Sequence, residues 1–217
     1  MTDRRCRAAV LISGSGSNLQ AFIDRVESGE LNLEIVVVIS NRADAFGLER
    51  AAKAQIPTAC IAHGDFDDRE SFDRAVAEKC DEVGVDLLIL AGFMRILSPW
   101  FVNHFADRIL NIHPALLPAY PGLDTHQRVI DAGEKWHGST VHLVTAELDA
   151  GPPILQGRLA VRSNESAAEL AARVQTVEHQ IYPRVAGMFA GGDLSFREAC
   201  VYLGGEKLQQ PITEEFE

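Results

Sequence analysis

The 217-residue chain carries 20 Lys and Arg against 31 Asp and Glu, a formal net charge of -11. That balance argues against a nucleic-acid partner, which is held by clustered cations and counterion release, so an anionic ligand has to be gripped locally. Apolar residues at 47% and charged residues at 24% fit a globular chain able to bury one continuous core, and two full domains are not expected.

In chain order, the basic start from Met1 to Arg7 is followed by an apolar run of only Ala8 to Ile12, too short for a signal peptide or a membrane span. That run reads instead as a first buried strand. Similar runs at Ile35 to Ile39, Leu87 to Leu90 and Ile109 to Ile112 are rich in Val, Ile and Leu without polar alternation, the pattern of strands covered on both faces. Helix-like segments lie between them at Ser17 to Glu27, Phe46 to Ala54, Asp68 to Val83 and Pro99 to Phe105. This alternation predicts an α/β fold, a Rossmann-like doubly wound and mostly parallel sheet. After Pro121 the pattern changes to a helix at Thr125 to Asp131 and two strands, Ser139 to Val144 and Ile154 to Val161, joined through Asp149-Ala150-Gly151-Pro152-Pro153 as an antiparallel pair. A last helix opens at the capping box Ser166-x-x-Glu169 with an apolar stripe of Leu170, Val174, Val177, Ile181 and Val185, and Pro183 is expected to kink it or end its regular part. With no repeat or linker, residues 1–217 read as a single unit.

The turn Ser13-Gly14-Ser15-Gly16-Ser17-Asn18-Leu19 between the first strand and helix lets backbone N–H groups and a helix N-terminus face an anion. A tight connection capped by Ser17 or Asn18 explains the turn equally well. A dinucleotide site is disfavoured because Leu19 stands where a third Gly or Ala is required and the second strand ends in Ser40-Asn41 rather than an acid. The densest cluster is Asn111-Ile112-His113-Pro114 with Leu117-Pro118 and Pro121-Gly122. Residues two apart on a strand share a side, so Asn111 and His113 can present an amide and an imidazole to one pocket at the carboxyl edge of the sheet. An isolated His after a strand is more often structural. If Asp149, before the Gly-Pro turn, meets His113, the three become an oxyanion-stabilising and proton-moving set suited to acyl transfer.

These segments, together with Ser40-Asn41-Arg42-Ala43-Asp44-Ala45 and Ala91-Gly92-Phe93-Met94-Arg95-Ile96-Leu97, occur in an order that resembles the glycinamide ribonucleotide formyltransferases from about Ala9 to Tyr182. The resemblance implies formyl transfer from 10-formyl-tetrahydrofolate, consumed as a co-substrate, to the amine of glycinamide ribonucleotide in de novo purine biosynthesis. It implies that Asn111, His113 and Asp149 are catalytic and that Gly16, Ser17 and Asn18, with Gln175 and Glu178, hold the ribonucleotide. It places the folate against Arg69, Met94, Arg95, Ile96, Leu97, Asn111 and Thr145, Ala146, Glu147, Leu148 and Asp149. Residues to about 100 would then form a phosphate-binding half and the remainder a folate and catalytic half. Taken without the resemblance, Met94, Ile96 and Leu97 read as core and Arg69 as a solvated helix charge. Some relatives carry Lys where Gln175 stands, which leaves a charge contact there in doubt. The resemblance also suggests a cis bond at Leu117-Pro118.

No tightly bound cofactor and no metal are expected: His63, His104, His137 and His142 show no metal-ligand spacing, and Cys6, Cys60, Cys80 and Cys200 lie far apart as reduced cytoplasmic thiols. The expected partners are small molecules, without nucleic acid or membrane, and a homodimer is left open. Methionyl-tRNA formyltransferases and formyl-tetrahydrofolate hydrolases share the Asn, His and Asp set but carry an additional tRNA-binding or N-terminal regulatory domain that is not expected here. A non-enzymatic nucleotide-binding module would not need the three residues to converge.

Overall fold

The computed structural model describes residues 4–217; Met1 to Asp3 of the basic start lie outside the described residues. The chain runs β1 (Cys6–Ile12), α1 (Ser17–Glu27), β2 (Leu33–Ser40), α2 (Phe46–Lys53), β3 (Thr58–Cys60), α3 (Arg69–Glu82), β4 (Leu87–Leu90), α4 (Pro99–His104), β5 (Ile109–His113), α5 (Thr125–Asp131), β6 (Trp136–Leu143), β7 (Pro153–Ala160), α6 (Ala167–Gly191), β8 (Leu194–Arg197), β9 (Cys200–Leu203), β10 (Glu206–Lys207) and β11 (Ile212–Phe216). A short 3-10 turn, His63–Asp65, precedes α3.

Eight strands form one sheet in the order β11-β7-β6-β5-β4-β1-β2-β3. The strands from β3 to β5 pair parallel, whereas β5 with β6 and β6 with β7 pair antiparallel. The expected doubly wound sheet with an antiparallel later part is therefore present. The alternation of β1 divides the core: Ala8, Val10 and Ile12 pack with α1 and α6, while Ala9 and Leu11 pack with α3 and α4. Both faces are dry, which is why these strands show no polar alternation. Tyr182 of α6 is fully buried, and its hydroxyl donates to the Leu110 carbonyl at 2.9 Å with the Leu90 carbonyl 3.1 Å away, pinning the helix across β4 and β5.

Two features differ from the sequence expectation, and one alternative is decided. Of the two outcomes expected at Pro183, a kink or an end, the end does not occur, since α6 continues to Gly191. The carbonyl of His179, four residues earlier and deprived of its helical donor by the proline ring, faces the Arg25 guanidinium at 3.5 Å. The edge strand β3 is only three residues long and mostly exposed, so it leaves no apolar run to detect. The chain after α6, for which no strands were expected, forms a separate three-stranded antiparallel sheet, β10-β9-β8, and then returns as β11 parallel to β7. The capping box forms as expected, with Ser166 and Glu169 bonding each other's backbone N–H.

Candidate active site

β5 ends at the carboxyl edge of the sheet, and its burial sets which residue can meet a ligand. Ile109, Leu110, Ile112 and His113 are buried, and Asn111 alone stays partly open. Leu110 and Ile112 face α6, which leaves Asn111 and His113 together on the opposite face. The His113 ring is held from both sides: Nε2 donates to the Tyr120 carbonyl at 2.8 Å, and Nδ1 lies 3.5 Å from Asp149 Oδ2. Both ring nitrogens thus face oxygens of neighbouring residues. His113 and Asp149 side chains are only 7% and 8% exposed, so this pair works with little screening by water.

Asp149 reaches this position because the chain after β6 turns sharply back. Its own backbone is left-handed, with φ of 52°, a conformation that Asp tolerates better than most residues. Two residues on, Gly151 is required by space, since a Cβ there would stand 1.8 Å from the Leu143 carbonyl oxygen. The same carboxylate oxygen is fixed by Gly122, whose N–H donates to Asp149 Oδ2 at 3.0 Å. Through Tyr120 and Gly122 the segment after the cis Leu117-Pro118 bond clasps both His113 and Asp149.

The antiparallel register pairs Asn111 with His142, a residue for which no role was expected. His142 Nδ1 donates to the Leu143 carbonyl at 3.1 Å, so its Nε2 accepts from Asn111 Nδ2 at 3.0 Å. Burial lowers the His142 pKa and keeps the ring in this neutral, accepting form. One Asn111 N–H is thereby used to orient the amide, and the second remains for a ligand. His142 Nε2 also lies 3.9 Å from Asp149 Oδ1, which joins the four side chains in one cluster.

The loops beside this cluster hold the residues expected to read a folate. Met94 and Ile96 are 71% and 52% exposed, so both leave the core, whereas Leu97 is buried. Their loop is fixed from behind: the Met94 N–H donates to Ser13 Oγ at 2.8 Å, Ser13 donates to Asn41 Oδ1 at 2.6 Å, and Ser98 N–H donates to buried Asp73 at 2.6 Å. Thr145, Ala146, Glu147 and Leu148 form the loop that follows β6 and leads into Asp149, with Leu148 56% exposed. Exposed apolar side chains on these two loops are what an apolar ligand would cover. Arg69 is exposed at the start of α3, and the half-buried Arg95 guanidinium lies over the Phe72 ring at 5.7 Å.

At the other end, Gly16 caps α1 with φ of 68° and no side chain caps the helix, so the first N–H groups of α1 remain open to an anion. Neither Ser17 nor Asn18 is the N-cap that the turn equally allowed. The cation beside this turn comes from α2: Arg50 donates to the Ser15 carbonyl at 2.8 Å and to Gln20 Oε1 at 3.1 Å, a placement that no local motif signals. Asn18 is buried and donates to Glu178 Oε2 at 2.9 Å. Gln175, one turn before Glu178 on α6, is exposed.

The sequence matches the family model described as formyl transferase over residues 6–186. The chain belongs to the formyl transferase family. It is 51% identical over 199 residues to the phosphoribosylglycinamide formyltransferase of Escherichia coli (strain K12), covering 92% of this chain and 94% of that relative. The solved structure of a phosphoribosylglycinamide formyltransferase from Coxiella burnetii superposes with a TM-score of 0.92 at 46% identity, covering 96% of this chain and all of that one. A formyltetrahydrofolate deformylase from Pseudomonas putida KT2440 shares the fold at 27% identity and a TM-score of 0.84, with 71% of its chain covered. This member of the formyl transferase family is thus an enzyme, and its relatives place it in purine biosynthesis. No helix among the described residues is long and apolar enough to cross a membrane, and no group of three potential metal ligands occurs among them.

Proposed function

We propose that the chain transfers the formyl group of 10-formyl-tetrahydrofolate to the primary amine of glycinamide ribonucleotide, with Asn111, His113 and Asp149 at the reacting atoms. The observation that carries this reading is the convergence of Asp149 with Asn111 and His113 at the end of β5, in a chain that also has an open helix N-terminus and exposed apolar loops. The phosphate sits at Gly16, Ser17 and Asn18, with Gln175 and Glu178 on the same side. The folate lies against Arg69, Met94 to Leu97 and Thr145 to Asp149.

The amine nitrogen attacks the formyl carbon, a C–N bond forms, and the carbonyl oxygen becomes an oxyanion. The free Asn111 N–H and the His113 ring donate to that oxygen. The His113 N–H now given to the Tyr120 carbonyl becomes available when the segment carrying Tyr120 shifts, while Nδ1 keeps facing Asp149. Asp149, through water, takes the proton that the attacking amine loses. The oxyanion then collapses, the bond from the formyl carbon to N10 breaks as the proton held by Asp149 passes through water to N10, and formylated ribonucleotide and tetrahydrofolate leave. Folate is consumed each turnover, so no tightly bound cofactor is needed. The chain acts as one cytoplasmic unit on small molecules, its first half holding phosphate and its second half holding folate.

The test is a formyl-transfer assay in which purified protein and 10-formyl-tetrahydrofolate meet glycinamide ribonucleotide, initiator methionyl-tRNA or water alone. Transfer to the ribonucleotide far above the other two is expected. Release of formate as the main product would overturn the acceptor assignment.

A further inference from the structure

Glu178 is almost fully buried on α6, and among the described residues it forms no ion pair. Its two oxygens have different neighbours. Oε2 accepts from Asn18 Nδ2 at 2.9 Å, and Oε1 lies 3.2 Å from Ser139 Oγ. The Ser139 hydroxyl has one hydrogen, and it is already committed: Oγ lies 2.8 Å from the His113 carbonyl oxygen, which can only accept. Two oxygens at that separation without a hydrogen between them would repel, so the proton lies there, and the longer contact to Glu178 is a hydrogen bond only when Glu178 donates.

We propose that Glu178 is a neutral carboxylic acid that donates to Ser139 and acts as a positioning residue, joining the turn at Asn18 to the backbone of His113 through one directional chain. In sequence the chain runs from the Asn18 amide to the Glu178 carbonyl oxygen, from the Glu178 hydroxyl to Ser139, and from Ser139 to the His113 carbonyl. The groups packed around the carboxyl are Asn18 of α1, Ser139 of β6, the His113 carbonyl of β5 and, on α6 itself, the buried Tyr182 hydroxyl, none of them a cation. Burial pushes the Glu178 carboxyl upward in the same direction. A neutral acid also suits its place, because a carboxylate there would repel a dianionic phosphate at the α1 N-terminus. Asn18 Oδ1 is buried without a hydrogen-bond partner, an acceptor left over for a ligand hydroxyl once the amide nitrogen is committed to Glu178. The link to substrate rests on the proposed ribonucleotide site; the protonation of Glu178 does not.

Two measurements on the whole protein test this. In the infrared difference spectrum of wild type minus Glu178→Gln at neutral pH, a carbonyl-stretch band of a protonated carboxylic acid is expected. That band should move to higher frequency in Ser139→Ala, where its hydrogen-bond acceptor is gone. Thermal unfolding supplies the second. A proton that Glu178 must take up on folding makes wild type lose ground to Glu178→Gln as pH rises from the ordinary carboxyl range to neutral, so the gap in melting temperature widens in favour of the variant. A purely structural side chain would leave that gap independent of pH. Carboxylate bands alone, or a gap that is flat or widens in favour of wild type, overturn the proposal. Should Glu178→Gln fail to fold, the band of wild type against Ser139→Ala decides it. Failure of the formyl-transfer assay would leave the band untouched, so the two readings fall separately.

Discussion

Asp149 Oδ2 stands 3.5 Å from His113 Nδ1 while accepting the Gly122 N–H at 3.0 Å, so one carboxylate oxygen serves both the imidazole and the loop beside it. Replacing Asp149 by Asn keeps the shape and can still offer an oxygen to Gly122, but it removes the base and the charge facing His113. Turnover should fall by about 10²-fold to 10⁴-fold, the usual worth of positioned proton transfer. The melting temperature should change little. A variant with kcat within a few-fold of wild type would remove Asp149 from the chemistry.

Asn111 is the open residue of β5 and also the donor to buried His142. Asn111→Ala therefore makes two separable losses. Removing an oxyanion donor should lower kcat by about 10² to 10³. Leaving His142 Nε2 buried without its partner should cost about 1–3 kcal/mol of stability. His142→Ala in the Asn111→Ala background should then cost less than in wild type, and unfolding of the four proteins as a double-mutant cycle checks that coupling.

Much of this site is legible in the sequence. The spacing of Asn111 and His113 follows from the period of a strand, and the turn at Asp149 to Pro153 marks where the chain doubles back. What escaped were contacts fixed by pairing register and packing. His142 and Ser139 join the site only because β6 runs antiparallel to β5 with Asn111 opposite His142. Arg50 reaches Ser15 from another helix, a distance in sequence that no local motif spans. The final strand β11 alternates half-buried Ile212, Glu214 and Phe216 with exposed Thr213 and Glu215, a visible period, but its polar composition hides which edge it joins.

The anion turn calls for a test other than enlarging Gly16. A Cβ on Gly16 would stand 2.6 Å from the Gly47 Cα, so Gly16→Val disrupts the contact between α1 and α2 in addition to its left-handed φ of 68°. Losses for both substrates and a lowered melting temperature are expected, in place of the selective loss that blocking a phosphate alone would give. Arg50→Gln keeps a donor while removing the charge. It should raise KM for the ribonucleotide by about two- to five-fold, the scale of one charge at a helix end, and leave KM for the folate unchanged. Equal effects on the two constants would move the phosphate elsewhere.

Buried His137, paired with half-buried His126, sets a pH limit on stability. His137 Nε2 lies 2.9 Å from His126 Nδ1, and His137 is 1% exposed. Burial, followed by the neighbouring His126 and His113, lowers the His137 pKa from its ordinary 6.5 to about 4. The unfolded chain therefore binds this proton more readily than the folded one below neutrality. The stability associated with a neutral His137 is fully present above pH 6.5 and is lost as pH falls toward 4. The full span is worth about 3 kcal/mol in order of magnitude. His126, lowered mainly by burial and then by His113, acts in the same direction. Glu165 raises the His137 value only weakly, as the last of its contributions. Replacing His137 by Gln, which can donate to His126 without titrating, should flatten the decline in denaturation midpoint between neutral pH and pH 5 relative to wild type. Parallel curves for the two proteins would assign the acid sensitivity to other groups.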